Sequence, residues 1–394
     1  MKTQLRDEWI ANAALPTHTE RLQAALDYRF GLRPSWLARA AEAFSPRVAG
    51  RLRSGHGAAA QHLKTCGGDG AGVPLLTLCE QLRAAAARET GRAREAMDAS
   101  DFAGALGSTL HRVLLDEYAG AGDYFEYALA RPGSARDFRP QTLVGVSAPP
   151  DLPVIDPEQS DYTELAALST RELEIAVTTT GVMLTISRAA ILADNVEAIR
   201  QTVGAIARAA RRTVARRVWS LFTANAIYAP DGVAWFDGAH GNLQSAALSE
   251  SEVIAAVAKL LAQTLPGTSG ERVGRPPRAG ELWLIVPHAL WDTAWKLNQT
   301  TGSALYHLFG ERNETIAVNG LLTDTNDWGL CWDAGVLESV RVNYLGGREE
   351  PELMLADRPN ADALFRADRV MYKTRLEFQV GLLDYRHAVK AAVA

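Results

Sequence analysis

The sequence predicts an α+β chain, and three observations carry that expectation. Apolar residues step by three and four without a proline from Ala189 to Ala226, and they alternate from Val370 to Val380. Five of the 17 prolines crowd into residues 137–172, just ahead of the helical pattern.

Composition bounds the class. The 394 residues carry 41 basic and 46 acidic side chains, formal charge −5, and are 47% hydrophobic and 22% charged. These are globular averages, which exclude disordered and fibrous classes. At about 150 residues per domain the length corresponds to two or three units with cores of their own. Cys66, Cys79 and Cys331 are too few and too scattered for a disulfide framework, so a reducing compartment is expected. No run reaches about 18 apolar residues, and Asp7 and Glu8 stand where a secretory signal needs an apolar core. Residues 1–100 hold 14 basic and 10 acidic side chains ahead of an acidic remainder. Neither part has the strongly basic balance of a chain that binds by neutralising phosphates.

Taken in order, residues 1–99 read as a helical extension, because Ala-rich runs such as 22–28 and 81–89 are broken by Pro34, Pro46 and Gly67, Gly68, Gly70 and Gly72. Ser100 is a candidate N-cap for a helix whose stripe is Leu106, Leu110, Val113 and Leu114. Residues 137–172 read as a proline-stiffened excursion from the body, with short β-like runs at 143–146 and 173–177. It carries seven acids against Arg139 and Arg171. Leu173, Ile175 and Val177 alternate, Gly181 is placed to turn the chain, and Val182, Leu184 and Ile186 alternate again, which is a β-hairpin pattern. One helix over 189–226 would then span on the order of 50 Å, with Arg200, Arg208, Arg211, Arg212, Arg216 and Arg217 on its other faces. The remainder alternates: a buried strand at 282–286, a helix at 288–298, strands at 315–322 and 336–345, and the long strand at 370–380, which returns toward the hairpin.

The usual signatures of chemistry are missing. The sequence contains no G-x-x-x-x-G-K-[ST], H-E-x-x-H or G-x-S-x-G. Gly68, Gly70 and Gly72 lack the strand that precedes a dinucleotide loop, and read as a linker. His62, Cys66 and Cys79 could be written as zinc ligands, yet structural zinc wants four ligands, so packing explains them better. Asp237 and His240, in WFDGAHGN, are spaced for a turn; they could be written as a general acid/base pair, although Asp-Gly and Gly-Asn turn chemistry accounts for them more simply. The arginine-studded helix could track phosphates, but it lacks interleaved aromatics for stacking and precedes an acidic body.

Several strings then occur together: SDFAGALG (100–107), Asp137 with Phe138, ISRAAILADN (186–195), VWSLFTANA (218–226), DGVAWFDGAHGNL (231–243), ELWLIVP (281–287) and EFQVGLLDYR (377–386). In this order, over residues 75–394, the chain resembles the major capsid proteins of tailed bacteriophages, in particular the Mu-like prophage head-subunit group. Related sequences follow the ISR motif with Asn-Asp-Asp, whereas Ala193, Asp194 and Asn195 stand here. The resemblance implies a Johnson-type (Hong Kong ninety-seven) capsid fold: an N-terminal helical extension (1–99), an N-arm helix (100–136), an extended loop (137–172), a peripheral domain with a spine helix (173–239), an axial domain (240–350) and a return to the peripheral domain (351–394).

It further implies a structural protein without catalytic residue, cofactor or metal. Copies would form pentamers and hexamers of an icosahedral shell around double-stranded DNA, held without sequence specificity. The shell would be a virion capsid assembled in the bacterial host cytoplasm, with portal, scaffold or a separate maturation protease as partners. The expected contact between subunits sets the acidic loop, with Asp151, Asp156, Glu158 and Asp161, against a neighbour's Arg208, Arg211, Arg212 and Arg216. Three readings compete: an encapsulin-like nanocompartment shell, a cytosolic hydrolase using Asp237 and His240, and a nucleic-acid-binding regulator.

Overall fold

The computed structural model describes residues 99–146, 170–187, 196–264, 276–355 and 369–393. In chain order the first elements are α1 (Ala99–Ala119), α2 (Glu126–Leu129), β1 (Ala130–Ala135), β2 (Gln141–Val146), β3 (Thr170–Ile175) and β4 (Thr178–Ser187). Next come α3 (Val196–Thr223), β5 (Ile227–Tyr228), β6 (Val233–Ala234), β7 (Leu243–Gln244) and α4 (Glu250–Ala262). The last are β8 (Leu282–Val286), α5 (Trp291–Gln299), β9 (Ile316–Val318), β10 (Trp328–Trp332), β11 (Val340–Leu345), β12 (Glu352–Leu355), β13 (Arg369–Leu382) and β14 (Ala388–Ala391). Helix and strand are thus mixed, and the described residues fall into two compact units.

The first unit gathers 99–121, 180–187, 196–210, 350–355 and 369–376. Leu106, Leu110, Val113 and Leu114 of α1 are buried, as the stripe predicts. Ser100 is the second residue of this helix and therefore not its cap. Helix α1 packs on β12, where His111 Nδ1 accepts the Leu353 amide at 3.3 Å. Strand β12 runs antiparallel to β13 from Glu352↔Arg375 to Leu355↔Tyr372. Strand β13 alternates buried Tyr372, Thr374, Leu376 and Phe378 with less buried neighbours, which is the period of two read from the sequence.

β4 pairs with β13, not with β3. The expected hairpin over 173–186 is therefore incorrect: Gly181 lies inside a strand, where a Cβ would fall 2.3 Å from the Thr374 carbonyl oxygen. A close backbone approach, and not a turn, requires the glycine. β3 instead pairs antiparallel with β2 from Gln141↔Ile175 to Val146↔Thr170, so the proline-rich excursion is closed at its base by a two-stranded ladder.

The second unit gathers 122–146, 170–179, 211–264, 276–349 and 377–393. Its main sheet has the order β7-β14-β10-β8-β9, and every residue of the central β10 is buried. Leu282, Leu284, Val286, Trp328, Leu330, Val389 and Ala391 of this sheet join Val253, Ala256 and Leu260 of α4 in one core. Gly329 allows a close approach, since a Cβ there would meet Phe222 Cζ at 2.6 Å and the Val389 carbonyl at 3.1 Å. β1 pairs parallel with β11, and β11 pairs antiparallel with residues 378–382 of β13.

Helix α3 runs 28 residues, about 42 Å at 1.5 Å per residue. Its buried face is Ile199, Val203, Ala207, Val214, Ala215, Val218, Trp219 and Phe222. Val196, Ile206, Ala210 and Leu221, which also fall on the apolar stepping of three and four, are only partly buried. The helix expected at 288–298 is a 3₁₀ turn over His288–Leu290 followed by α5, and the strands expected at 315–322 and 336–345 contract to β9 and β11.

Candidate functional site

The one pair that the sequence offers for catalysis is Asp237 with His240, and the structure separates them chemically. His240 is buried, with Nδ1 3.0 Å from the Trp235 carbonyl oxygen and Nε2 2.9 Å from Asp231 Oδ2. Its ring stacks on Tyr385 at 3.8 Å between centroids and 9° between planes, and Arg386 covers Tyr385 at 4.7 Å. Asp237 turns away: its Oδ1 accepts the Ala239 amide at 2.8 Å, an Asx turn. Both ring nitrogens of His240 already have partners, so neither is placed to take a proton from a substrate. The surrounding loop is held in the same way. Asn242 Nδ2 donates to the Trp235 and Tyr385 carbonyls at 2.8 and 3.0 Å, and Gln263 Nε2 donates to the His240 carbonyl at 2.9 Å. This constellation clamps a loop. Among the described residues no group of three or more His, Cys, Asp or Glu could hold a metal. His62, Cys66 and Cys79 lie outside the described residues.

The arginines of α3 divide by environment. Arg208 Nη1 lies 2.8 Å from Glu117 Oε2 in the first unit, and its side chain is half exposed. In the second unit Arg211 Nη1 lies 2.7 Å from Oε1 of the fully buried Glu126, with its guanidinium 5.0 Å over the Tyr127 ring. Burial pushes the Glu126 carboxyl up, and the Arg211 charge opposes that shift. Arg217 packs 4.7 Å over Phe378 and donates to Thr178 Oγ1 at 3.0 Å. Arg212 and Arg216 face solvent. Of the four arginines expected at a subunit contact, Arg208 and Arg211 thus already have carboxylate partners in their own chain. The acids expected to meet them, Asp151, Asp156, Glu158 and Asp161, lie outside the described residues.

Sequence reasoning missed the exposed apolar side chains. Val182 and Met183 of β4 are 50% and 67% exposed, and Ile227 is 69% exposed. On α5, Trp291 and Trp295 are 47% and 45% exposed and meet edge to face at 5.3 Å. The spacing of those tryptophans, four apart on a helix, is visible in the sequence, but which face of the helix is covered is not.

A family model described as phage capsid protein matches residues 170–391. Among solved structures, the capsid structure of cyanophage P-SCSP1u is similar at 12% identity and TM-score 0.46, over 70% of this chain and 89% of that one. Mycobacterium phage Patience is similar at 14% and 0.44, over 76% and 89%. The crystal structure of a virus-like particle from Pyrococcus furiosus is similar at 10% and 0.39, over 72% and 98%. No curated protein matches the sequence.

Proposed function

The chain belongs to the phage capsid protein family, and from that premise we propose that it is the major head subunit of a tailed phage or prophage of the Mu-like group. Copies assemble as pentamers and hexamers into an icosahedral shell around double-stranded DNA, in the host cytoplasm, with portal and scaffold as further partners. The family match over more than half of the chain carries this reading. The order of elements supports a Johnson-type fold: an arm helix, an excursion closed by β2 and β3, the long α3, a mixed body and a returning β13. The reading includes no active site, in keeping with an Asp231–His240 pair spent on holding a loop. A weakly acidic subunit suits a container that must later release its DNA, which a strongly cationic wall would retain.

Within such a shell, the acidic excursion of one subunit docks on the exposed side of a neighbour's α3. Arg212 and Arg216 offer the charge there, since Arg208 and Arg211 are engaged in their own chain. Exposed pairs contribute about 0–1 kcal/mol each, so this contact sets register more than strength.

Electron microscopy of the expressed protein tests the proposal. Shells, tubes or capsomers are expected, with nucleic acid of the phage genome in particles from infected or induced cells. A protein that remains monomeric at every concentration and salt would overturn it, and particles filled with enzyme in place of nucleic acid would make it a nanocompartment.

A further inference from the structure

Strand β4 has ten residues, TTTGVMLTIS, and among the described strands it is paired only with β13. A sheet edge of this length normally carries a guard: a lysine, a proline, a bulge or an inward charge that keeps other chains from adding to it. β4 has no charged residue and no proline. At its centre Val182 and Met183 are half and two-thirds exposed, and being adjacent they point to opposite faces of the sheet. Among the described residues this is an uncharged edge without a proline, open on both faces at its midpoint, which natural sheets avoid unless the edge is used.

We propose that the outer edge of β4 pairs antiparallel with the same edge of a second copy of the chain across a twofold axis, so that the sheet continues from one subunit into the next. This deepens the shell reading by naming one of its contacts. A twofold axis normal to the sheet sets residues of one face opposite each other. Centred on Val182, it opposes Val182 to its own copy and Thr180 to Leu184; centred on Met183, it opposes Met183 to its copy and Gly181 to Thr185. In either register no like charges meet, and the directly opposed Cβ atoms come within about 4.5–5.5 Å. Electrostatics therefore allows the edge to meet its own image. The proline-rich excursion is a poorer occupant, because its five prolines cannot donate ladder bonds and seven of its residues are acidic.

The test uses the full chain with Cys66 and Cys79 replaced by serine, carrying V182C or M183C. After mild oxidation, one of the two variants forms a reductant-sensitive dimer, read both in particles and in unassembled protein. Separately, V182K and M183K alter exposed positions, keep the circular dichroism of the parent and lose particle formation, because they restore a guard to the edge. If wild-type particles form while neither cysteine cross-links and both lysine variants assemble normally, the pairing is wrong and the shell reading stands. A cysteine dimer without particles under any condition keeps the pairing and removes the shell. Hydrogen exchange that finds the outward β4 amides protected in monomer overturns the pairing, since the chain then covers its own edge.

Discussion

Asn225 and Phe236 are joined by two hydrogen bonds that a neighbouring strand would otherwise supply. Asn225 Oδ1 accepts the Phe236 amide at 2.7 Å, and Asn225 Nδ2 donates to the Phe236 carbonyl at 2.9 Å. Asn225 holds this position with φ +50°, a left-handed conformation that asparagine tolerates better than other non-glycine residues. It ends α3 and fixes the loop in which Trp235 and Phe236 stack at 4.5 Å. Asn225→Ala forfeits both bonds, at about 1 kcal/mol each, and adds left-handed strain of about 1 kcal/mol. A loss of about 2–3 kcal/mol in denaturant unfolding of the subunit is expected, and a loss below about 0.5 kcal/mol contradicts the assignment.

Gly329→Ala places a methyl against the Phe222 ring and the Val389 backbone, on the face of β10 opposite the one that Trp328 and Leu330 turn to the main core. Backbone on one side and a buried ring on the other leave little room to relax. The expected cost is about 1–3 kcal/mol, read as a lowered denaturation midpoint with unchanged slope.

His387 gives the stability a defined pH dependence. Burial pushes its imidazole below the ordinary value of 6.5, with Asp384 and Glu338 opposing the shift and Arg386 adding to it, while Nδ1 lies 3.0 Å from the Glu338 carbonyl oxygen. Between the lowered value and 6.5 the unfolded chain binds more protons than the native one. Stability from this group is therefore complete above 6.5 and is lost as pH falls through the window. Glu126 acts with the opposite sign: its carboxyl is raised above 4.5, so stability declines as pH rises from 4.5 through the raised value. His387→Gln should flatten the fall in melting temperature between about pH 7 and 5; an unchanged slope would assign the acid sensitivity elsewhere.

His240 and Asp237 should respond in an order that a catalytic pair would not show. His240→Ala removes two ring contacts and the stack on Tyr385, so a loss of about 2–4 kcal/mol is expected. Asp237→Ala removes one exposed Asx-turn bond and should cost about 1 kcal/mol or less. Comparable stabilities for the two variants would count against the clamp.

The sequence holds no lysine between Lys64 and Lys259, so residues 137–172 have no amine to offer for an isopeptide bond. Mature particles boiled in denaturant should run as monomers on electrophoresis. A ladder of multimers would defeat this expectation.

The local periodicities were legible before the structure: the stripe of α1, the alternation of β13 and the buried run of β8 all stand where the pattern places them. Helix α4 carries an equally visible signal. Its cap is Ser249, whose side chain accepts the Glu252 amide ahead of buried Val253, Ala256 and Leu260. What local pattern could not give was pairing. β1, with Pro132 and Gly133, has no strand signal of its own and is extended because β11 lies beside it. Gly181 reads as a turn until Thr374, far along the chain, is set against it. The partner of His240 is likewise Asp231, outside the short WFDGAHGN string that drew attention to the histidine.

The place of β14 in the main sheet carries a consequence for biosynthesis. Residues 388–391 lie between β10 and β7, and Val389 and Ala391 fill the same core as residues near 250 and 284. No nascent chain can close that core until residue 391 has left the ribosome, and contacts of such sequence separation form slowly. A nascent chain shorter than that therefore carries an open second unit, which delays the meeting of neighbours on one message until β14 has emerged.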